Sequence, residues 1–239
     1  METLLNKIVL VVGGTGGIGA ETSKLLHQSG AKVFVTGRNV ESLNTICSSI
    51  GIPVKNRFVI DLKNTESIHL MVEEIQSITG GPIDILINAA GIGIIKSFES
   101  LSIQNFKDSL DVNLVGAFSL IQAVLPKMKE QKKGLIINIP GVLGKTPMAG
   151  AAAYAASKYG LNGMLKSLRE ELKRTEIRIT NIYMGGVDSP FWDNIDLKVQ
   201  RDKMIAVKEA AKSIWFLCQQ PTSAVVSEMV IQPFNHQAI

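Results

Sequence analysis

The sequence predicts a single α/β domain, a doubly wound fold in which a seven-stranded parallel sheet carries helices on both faces. Three observations predict it. Seven short runs rich in Val and Ile recur along 239 residues, and helix-period stretches alternate with them from end to end. The runs are apolar at successive positions, as expected of strands covered on both sides. A chain of this length buries an ample core, and 46% hydrophobic with 19% charged residues fits a soluble globular protein.

In chain order, "KIVLVV" from 7 is the first strand and 17–29 the first helix. "KVFVT" from 32 and "VKNRFVI" from 54 bracket a helix over 40–50, and a helix over 65–79 leads to "IDILIN" from 83. A long helix over 102–131 precedes "GLIINI" from 134, and 151–174 precedes "IRITNIY" from 177. A helix over 207–220 then delivers the last strand, "AVVSEMVI" from 224. No linker interrupts the series, so residues 1–239 form one domain, and the irregular segment lengths exclude a solenoid. The stretch 186–206 breaks the pattern, with no clean period and with Phe191 and Trp192. It reads either as a lid over a ligand or as an ordinary surface excursion.

Composition excludes several classes. The net charge is +4, but the cations interleave with acids, as in "KSLREELKRTEIR" at 166–178. Without aromatic stacking platforms among them, these are solvated helix faces and not a nucleic-acid surface. Three scattered histidines offer no metal-ligand spacing, and Cys47 and Cys218 sit in apolar helical contexts that suit buried thiols in a reducing compartment. The apolar run near the N-terminus is too short for a signal peptide, and no stretch reaches the length of a membrane span. A cytoplasmic location is expected.

The first strand ends in "VVGGTGGIGA". Gly14, Gly16 and Gly19 satisfy G-x-G-x-x-G, while Gly13, Gly17 and Gly19 satisfy G-x-x-x-G-x-G. Strand, glycines and helix come in the order that lets the backbone N–H groups of this turn, Thr15 and Ile18 included, hold a pyrophosphate at a helix N-terminus. A glycine-rich turn serving only tight helix packing is the alternative. At the end of the second strand, where an acid would bind the adenosine ribose of NAD, the chain has "VTGRN". Arg38 there offers a guanidinium to a 2′-phosphate, so NADP(H) is preferred over NAD(H). Asp61, ending the third strand, is a candidate for the adenine amino group or a simple strand-end acid.

Tyr154 and Lys158 lie one helical turn apart and share a face. An ammonium about 4 Å from a phenol favours phenolate by roughly 4 kcal/mol at an effective dielectric near 20. The expectation is a tyrosine brought from about 10 towards 7, able to exchange a proton at neutral pH.

These residues resemble the short-chain dehydrogenases/reductases, a Rossmann-fold family. The matching pieces are "GGTGGIG" at 13–19, "DL" at 61, "NAAG" at 88–91, Asn113 in "DVNLVGAF", "YAASK" at 154–158 and "MGGVDSP" at 184–190. They stand in family order and cover essentially the whole chain. The resemblance implies that Tyr154 is the acid/base, that Lys158 holds the nicotinamide ribose and lowers the tyrosine pKa, and that Asn113 positions a water in the proton relay. It places Asn88, Ala89 and Gly91 beside the adenosine ribose, Ser189 at the nicotinamide carboxamide, and Asp61, Leu62, Gly185 and Val187 among the cofactor-binding residues. It further implies a homodimer or homotetramer built on the helices at 102–131 and 151–174.

The chain departs from the family at one catalytic position. A serine is expected thirteen residues before the tyrosine, and that position is Gly141, after Pro140. Such a hydroxyl hydrogen-bonds the reacting oxygen, and losing a donor of this kind costs on the order of 10² to 10³ in rate. A water or Thr146 would have to replace it. Met184 stands in place of a usual proline, and the C-terminal "VIQPFNHQAI" lacks a usual glycine pair, which bears on the pocket floor. The resulting expectation is an NADP(H)-dependent reductase of a small or medium hydrophobic carbonyl, reversible as an alcohol dehydrogenase. A weakly active or inactive NADP-binding sensor or scaffold is the alternative.

Overall fold

The structure is a computed structural model and describes residues 1–235. Its strands are β1 (Ile8–Val12), β2 (Lys32–Gly37), β3 (Arg57–Val59), β4 (Ile85–Asn88), β5 (Lys133–Asn138), β6 (Glu176–Met184), the two-residue β7 (Val187–Asp188) and β8 (Ile205–Ala206), and β9 (Glu228–Ile231). Seven form one parallel sheet in the order β3-β2-β1-β4-β5-β6-β9, and β7 pairs with β8 in a separate ribbon. The helices are α1 (Gly17–Gln28), α2 (Val40–Ile50), α3 (Thr65–Thr79), α4 (Ile103–Leu110), α5 (Gly116–Glu130), α6 (Ala152–Leu172) and α7 (Val207–Cys218).

The apolar runs explain the two-sided winding. In β1, Leu10 and Val12 join the core under α3, α5 and α6, while Val9 and Val11 join the core under α1, α2 and α7. The same alternation sends Leu86 and Ile136 to the first core and Ile87 and Ile137 to the second. Each central strand therefore needs apolar residues at every position.

Strand order reverses at β1 and β4, and such a switch opens a crevice beyond the strands' carboxyl ends. There the register aligns Val12 with Asn88, Asn88 with Asn138, and Asn138 with Asn181.

Four segments differ from expectation, one of them the last strand, expected from 224 but formed only over Glu228–Ile231. The strand expected from 54 begins instead as a 3-10 turn, Val54–Asn56, because Asn56 turns inward to donate to the Val33 carbonyl at 3.0 Å. The long helix expected over 102–131 is α4 and α5 joined by a π turn, Asp111–Val115. Gly116 follows it, where an added Cβ would lie 2.8 Å from Leu62 Cβ and 2.9 Å from Leu62 O, so the helix presses against the exit of β3. The irregular stretch after β6 holds the β7–β8 ribbon and two 3-10 turns, Pro190–Asn194 and Arg201–Lys203. By length and apolarity the composite helix Ile103–Glu130 also meets the test for a membrane span that no stretch was expected to meet, although half of its most apolar window is buried in the core.

Candidate active site

The glycine turn forms one wall of the crevice. Gly13 has φ +79°, and a Cβ there would meet Ala90 N and Cα at 2.7 Å. Gly19 lies so close to Gly13 O, 2.3 Å from its virtual Cβ, that any side chain would push α1 off the turn. These two positions serve tight packing, as the alternative reading required. The next requirement is met as well: Gly16 caps α1 in an extended conformation with no side-chain cap, and no acid stands in the first turn. The positive end of the helix is left open to an anion.

Across the cavity stand Tyr154 and Lys158 of α6, both lining it together with Gly16, Gly17, Ile18 and Gly19. Lys158 is 3% exposed and donates to the Ile139 carbonyl at 3.2 Å, which fixes it to the end of β5. Its Nζ lies 5.4 Å from the centre of the Tyr154 ring. The expected phenol near 7 is not what this environment produces. Burial raises the Tyr154 pKa above its ordinary value and lowers Lys158 to about 8. Desolvation disfavours both charged forms and outweighs a cation held at ring-centre distance.

Asn113 is buried in the π turn, and its amide is engaged with protein. Oδ1 accepts from Ile92 N and Nδ2 donates to Ile92 O, each at 2.9 Å, and Nδ2 also donates to Ser157 Oγ at 3.0 Å. Ser157 Oγ in turn donates to Tyr154 O at 2.7 Å. The side chain thus ties the segment after β4 to the turn of α6 that carries the tyrosine. A π turn is a frequent device for redirecting a side chain at a functional site.

Gly141 has φ +69° and ψ 171°, a region essentially closed to other residues. A Cβ built there would lie 3.5 Å from Met184 O and 3.9 Å from the Tyr154 hydroxyl, so the position borders the phenol and has room. Thr146 lines the same cavity.

The cavity measures about 770 Å³. The 186–206 stretch contributes Phe191, Trp192, Ile195 and Val199 to its lining. The Phe191 ring lies 6.1 Å from that of Tyr154 and meets Trp192 edge-on at 5.4 Å. Arg201 clasps this stretch: Nε lies 3.0 Å from Asp188 Oδ1, one amino group lies 3.0 Å from Asp193 Oδ1, and the same group donates to the Ser189 carbonyl.

Ala89, Gly91, Gly185, Val187 and Ser189 also line the cavity. Gly13, Thr15, Arg38, Asp61, Leu62, Asn88 and Asn113 lie outside its lining. Arg38 is exposed at the end of β2, next to Gly37, where a Cβ would strike Thr15 Cγ2 at 2.5 Å. That contact brings the arginine's strand end against the glycine turn. Asp61 accepts from Lys63 N at 3.0 Å, Leu62 is buried, and Asn88 donates to Asn138 Oδ1 at 3.4 Å while accepting from Ala90 N. Sequence reasoning missed Ile95, Leu143, Met148, Lys198 and Lys203 in the lining, and the C-terminal Gln232 and Pro233. Pro233 packs on Gly185, so the departure at the C-terminus does shape the pocket floor.

Strand order, winding and switch-point crevice define the doubly wound Rossmann class. Within it, the family model described as short chain dehydrogenase matches residues 7–200, and the chain belongs to that family. It is 30% identical over 233 residues to an uncharacterized oxidoreductase of Staphylococcus epidermidis, covering 98% of this chain and all of that one. A second uncharacterized oxidoreductase, from Staphylococcus saprophyticus, is 31% identical over 236 residues, with 98% and 100% covered. Among solved structures, a metagenomic short-chain oxidoreductase in complex with NADP superimposes with TM-score 0.84 at 28% identity, covering 98% of this chain and 100% of that one. Actinorhodin polyketide ketoreductase with NADPH gives 0.85 at 26%, covering 98% of each. The protein is an oxidoreductase of this family.

Proposed function

We propose that the protein is an NADP(H)-dependent carbonyl reductase, reversible as an alcohol dehydrogenase, with Tyr154 as its acid/base. The observation that carries this reading is that Tyr154 and Lys158 line the same cavity as the open N-terminus of α1. Gly16, Gly17, Ile18 and Gly19 would hold the pyrophosphate, Arg38 with Thr15 beside it the 2′-phosphate, and Asp61, Leu62, Asn88, Ala89 and Gly91 the adenosine side. Gly185, Val187 and Ser189 would border the nicotinamide. When bound, the nicotinamide supplies or accepts the hydride.

The chain's own groups handle the proton. Burial keeps the Tyr154 phenol protonated at neutral pH, which suits a donor to a carbonyl oxygen and therefore the reductive direction. Lys158, lowered to about 8, still carries its charge at pH 7 and stabilises negative charge arising on the phenol. Asn113, through Ile92 and Ser157, holds both sides of the site in register. Phe191 and Trp192 exclude water. Family resemblance and the exposed Ile103, Phe118 and Tyr159 support assembly as a homodimer or homotetramer through α4, α5 and α6. Cys47 and Cys218, both free and buried, support a reducing compartment such as the cytoplasm.

The test is NADPH oxidation over a ketone panel, with Tyr154→Phe expected to lower kcat/KM by at least about 10²-fold. Equal turnover by both proteins removes the proposed acid/base. A second reading, an NADP-binding sensor or scaffold of low activity, is favoured by the absence of a side chain at Gly141 beside the phenol. Tight NADPH binding with no oxidation on any carbonyl selects it.

A further inference from the structure

Two lysines lining the cavity are used by none of the chemistry above. Lys198 and Lys203 stand in the lid, and with Lys158 they are the only charged residues in the cavity lining among the described residues, which includes no Asp or Glu. Three of the four acids in the 186–206 stretch are engaged or turned elsewhere, and the fourth, Asp202, is exposed and outside the cavity lining. Asp188 and Asp193 are both paired with Arg201. Asp196 lines a different, smaller cavity with Gly93, Ile94 and Lys96. Among the described residues, neither Lys198 nor Lys203 forms an ion pair, although the same fold pairs Lys145, Lys166 and Lys212 with carboxylates.

The same lining is apolar over Ile95, Leu143, Met148, Trp192 and Val199, with Thr146, Ser189, Gln200, Gln232 and Asn235 as its uncharged polar members. One phenol as proton donor, apolar lining, and a pair of ammonium groups without a carboxylate partner describe a ligand that carries a carbonyl, an apolar part and a negative charge. We propose that the substrate is an oxo acid, a carbonyl compound whose anionic group is received by Lys198 and Lys203 while its apolar chain lies along the cavity. This rests on the carbonyl-reductase reading and adds the substrate class to it. An anion already present in the reaction, the cofactor pyrophosphate, would draw on the same lysines, so the experiment separates the two.

The probes are 5-oxohexanoate and 4-benzoylbutyrate, each with its methyl ester, which keeps the carbonyl and the chain and removes the charge. The wild-type protein is expected to favour acid over ester by roughly tenfold in kcat/KM, the scale of one or two partly screened ion pairs. In the double variant Lys198→Gln, Lys203→Gln the ratio falls to near one, with NADPH affinity within about twofold of wild type. Both side chains are exposed, so the variant folds. Equal use of acid and ester by the wild type overturns the inference and leaves the reductase reading standing. A loss of NADPH affinity with the acid preference intact also overturns it, because the lysines then serve the pyrophosphate. If no probe is reduced, binding to NADPH-loaded protein by calorimetry decides: acid bound more tightly than ester in a lysine-dependent way keeps the inference while the reductase reading fails, and no such preference removes both.

Discussion

Gly141 offers the sharpest test of the site, because sterics and chemistry pull in opposite directions there. A Ser at this position meets no serious clash, since the nearest atoms to its Cβ are Met184 O at 3.5 Å and the Tyr154 hydroxyl at 3.9 Å. All of the cost lies in the backbone, where φ +69° with ψ 171° is imposed on a residue with a side chain. Strain of this kind costs about 2 kcal/mol. For a chain of this size that lowers Tm by about 4–8 °C. From the same geometry a hydroxyl one bond beyond the Cβ comes within hydrogen-bond reach of the phenol and of a carbonyl oxygen beside it. Gly141→Ser is therefore expected to lower Tm while raising kcat/KM by at least about tenfold, part of the 10² to 10³ that a well-aimed donor supplies.

The control is Gly141→Ala, which carries the strain without the hydroxyl. Differential scanning calorimetry reads the first effect and NADPH oxidation the second. The two variants should melt together below the wild type, and only the serine should gain rate. Should Gly141→Ala melt at the wild-type temperature, the positive φ is not imposed by the fold. Should serine and alanine turn over alike, the missing donor does not limit the rate.

Three further outcomes are expected of the same site and its surroundings. Lys158→Met should stabilise the protein at pH 7: the folded value of about 8 against about 10.4 unfolded costs roughly 3 kcal/mol wherever both states bind the proton, offset by about 1 for the lost bond to Ile139 O. Because the unfolded chain holds this proton at higher pH than the folded one, the penalty is full below pH 8 and fades between 8 and about 10.4; a gain in Tm of about 4–8 °C at pH 7 that shrinks by pH 10 is expected, and a lower Tm at pH 7 refutes it. Arg201→Gln opens the clasp to Asp188 and Asp193, so limited proteolysis within 186–206 should accelerate and the KM for the carbonyl should rise, with Tm within about 2 °C of wild type because these pairs are largely exposed; unchanged cleavage shows that the lid is held otherwise. Arg38→Asp should weaken NADPH by about 10- to 100-fold relative to NADH, and an unchanged ratio places the 2′-phosphate elsewhere.

What the sequence reveals here, and what it withholds, divides along the range of the forces involved. The central strands were legible, because apolar residues at consecutive positions of β1, β4 and β5 are a local demand of two-sided burial, while the outer strands β3 and β9 proved shorter than their apolar runs. The Tyr154 and Lys158 pairing was legible for a similar reason, since four residues on a helix fix a shared face. The sign of the tyrosine shift was not legible. It depends on desolvation by the walls of the cavity, one of them Phe191, thirty-seven positions along the chain from the phenol at 6.1 Å between ring centres. Spacing names the partner of a buried charge; only the fold reveals how much water both have lost.

The same division explains Gly141 and the lid lysines. A glycine in place of serine is visible as an omission, but the handedness of its φ is set by how the loop between β5 and α6 returns under Met184. Lys198 and Lys203 read in sequence as ordinary surface cations beside Asp196 and Asp202. Their meaning depends on which carboxylates the folded lid spends on Arg201 and which way Asp196 turns. A charge census of a cavity is a property of the folded surface, and for that reason no local pattern in the aperiodic segment 186–206 announces it.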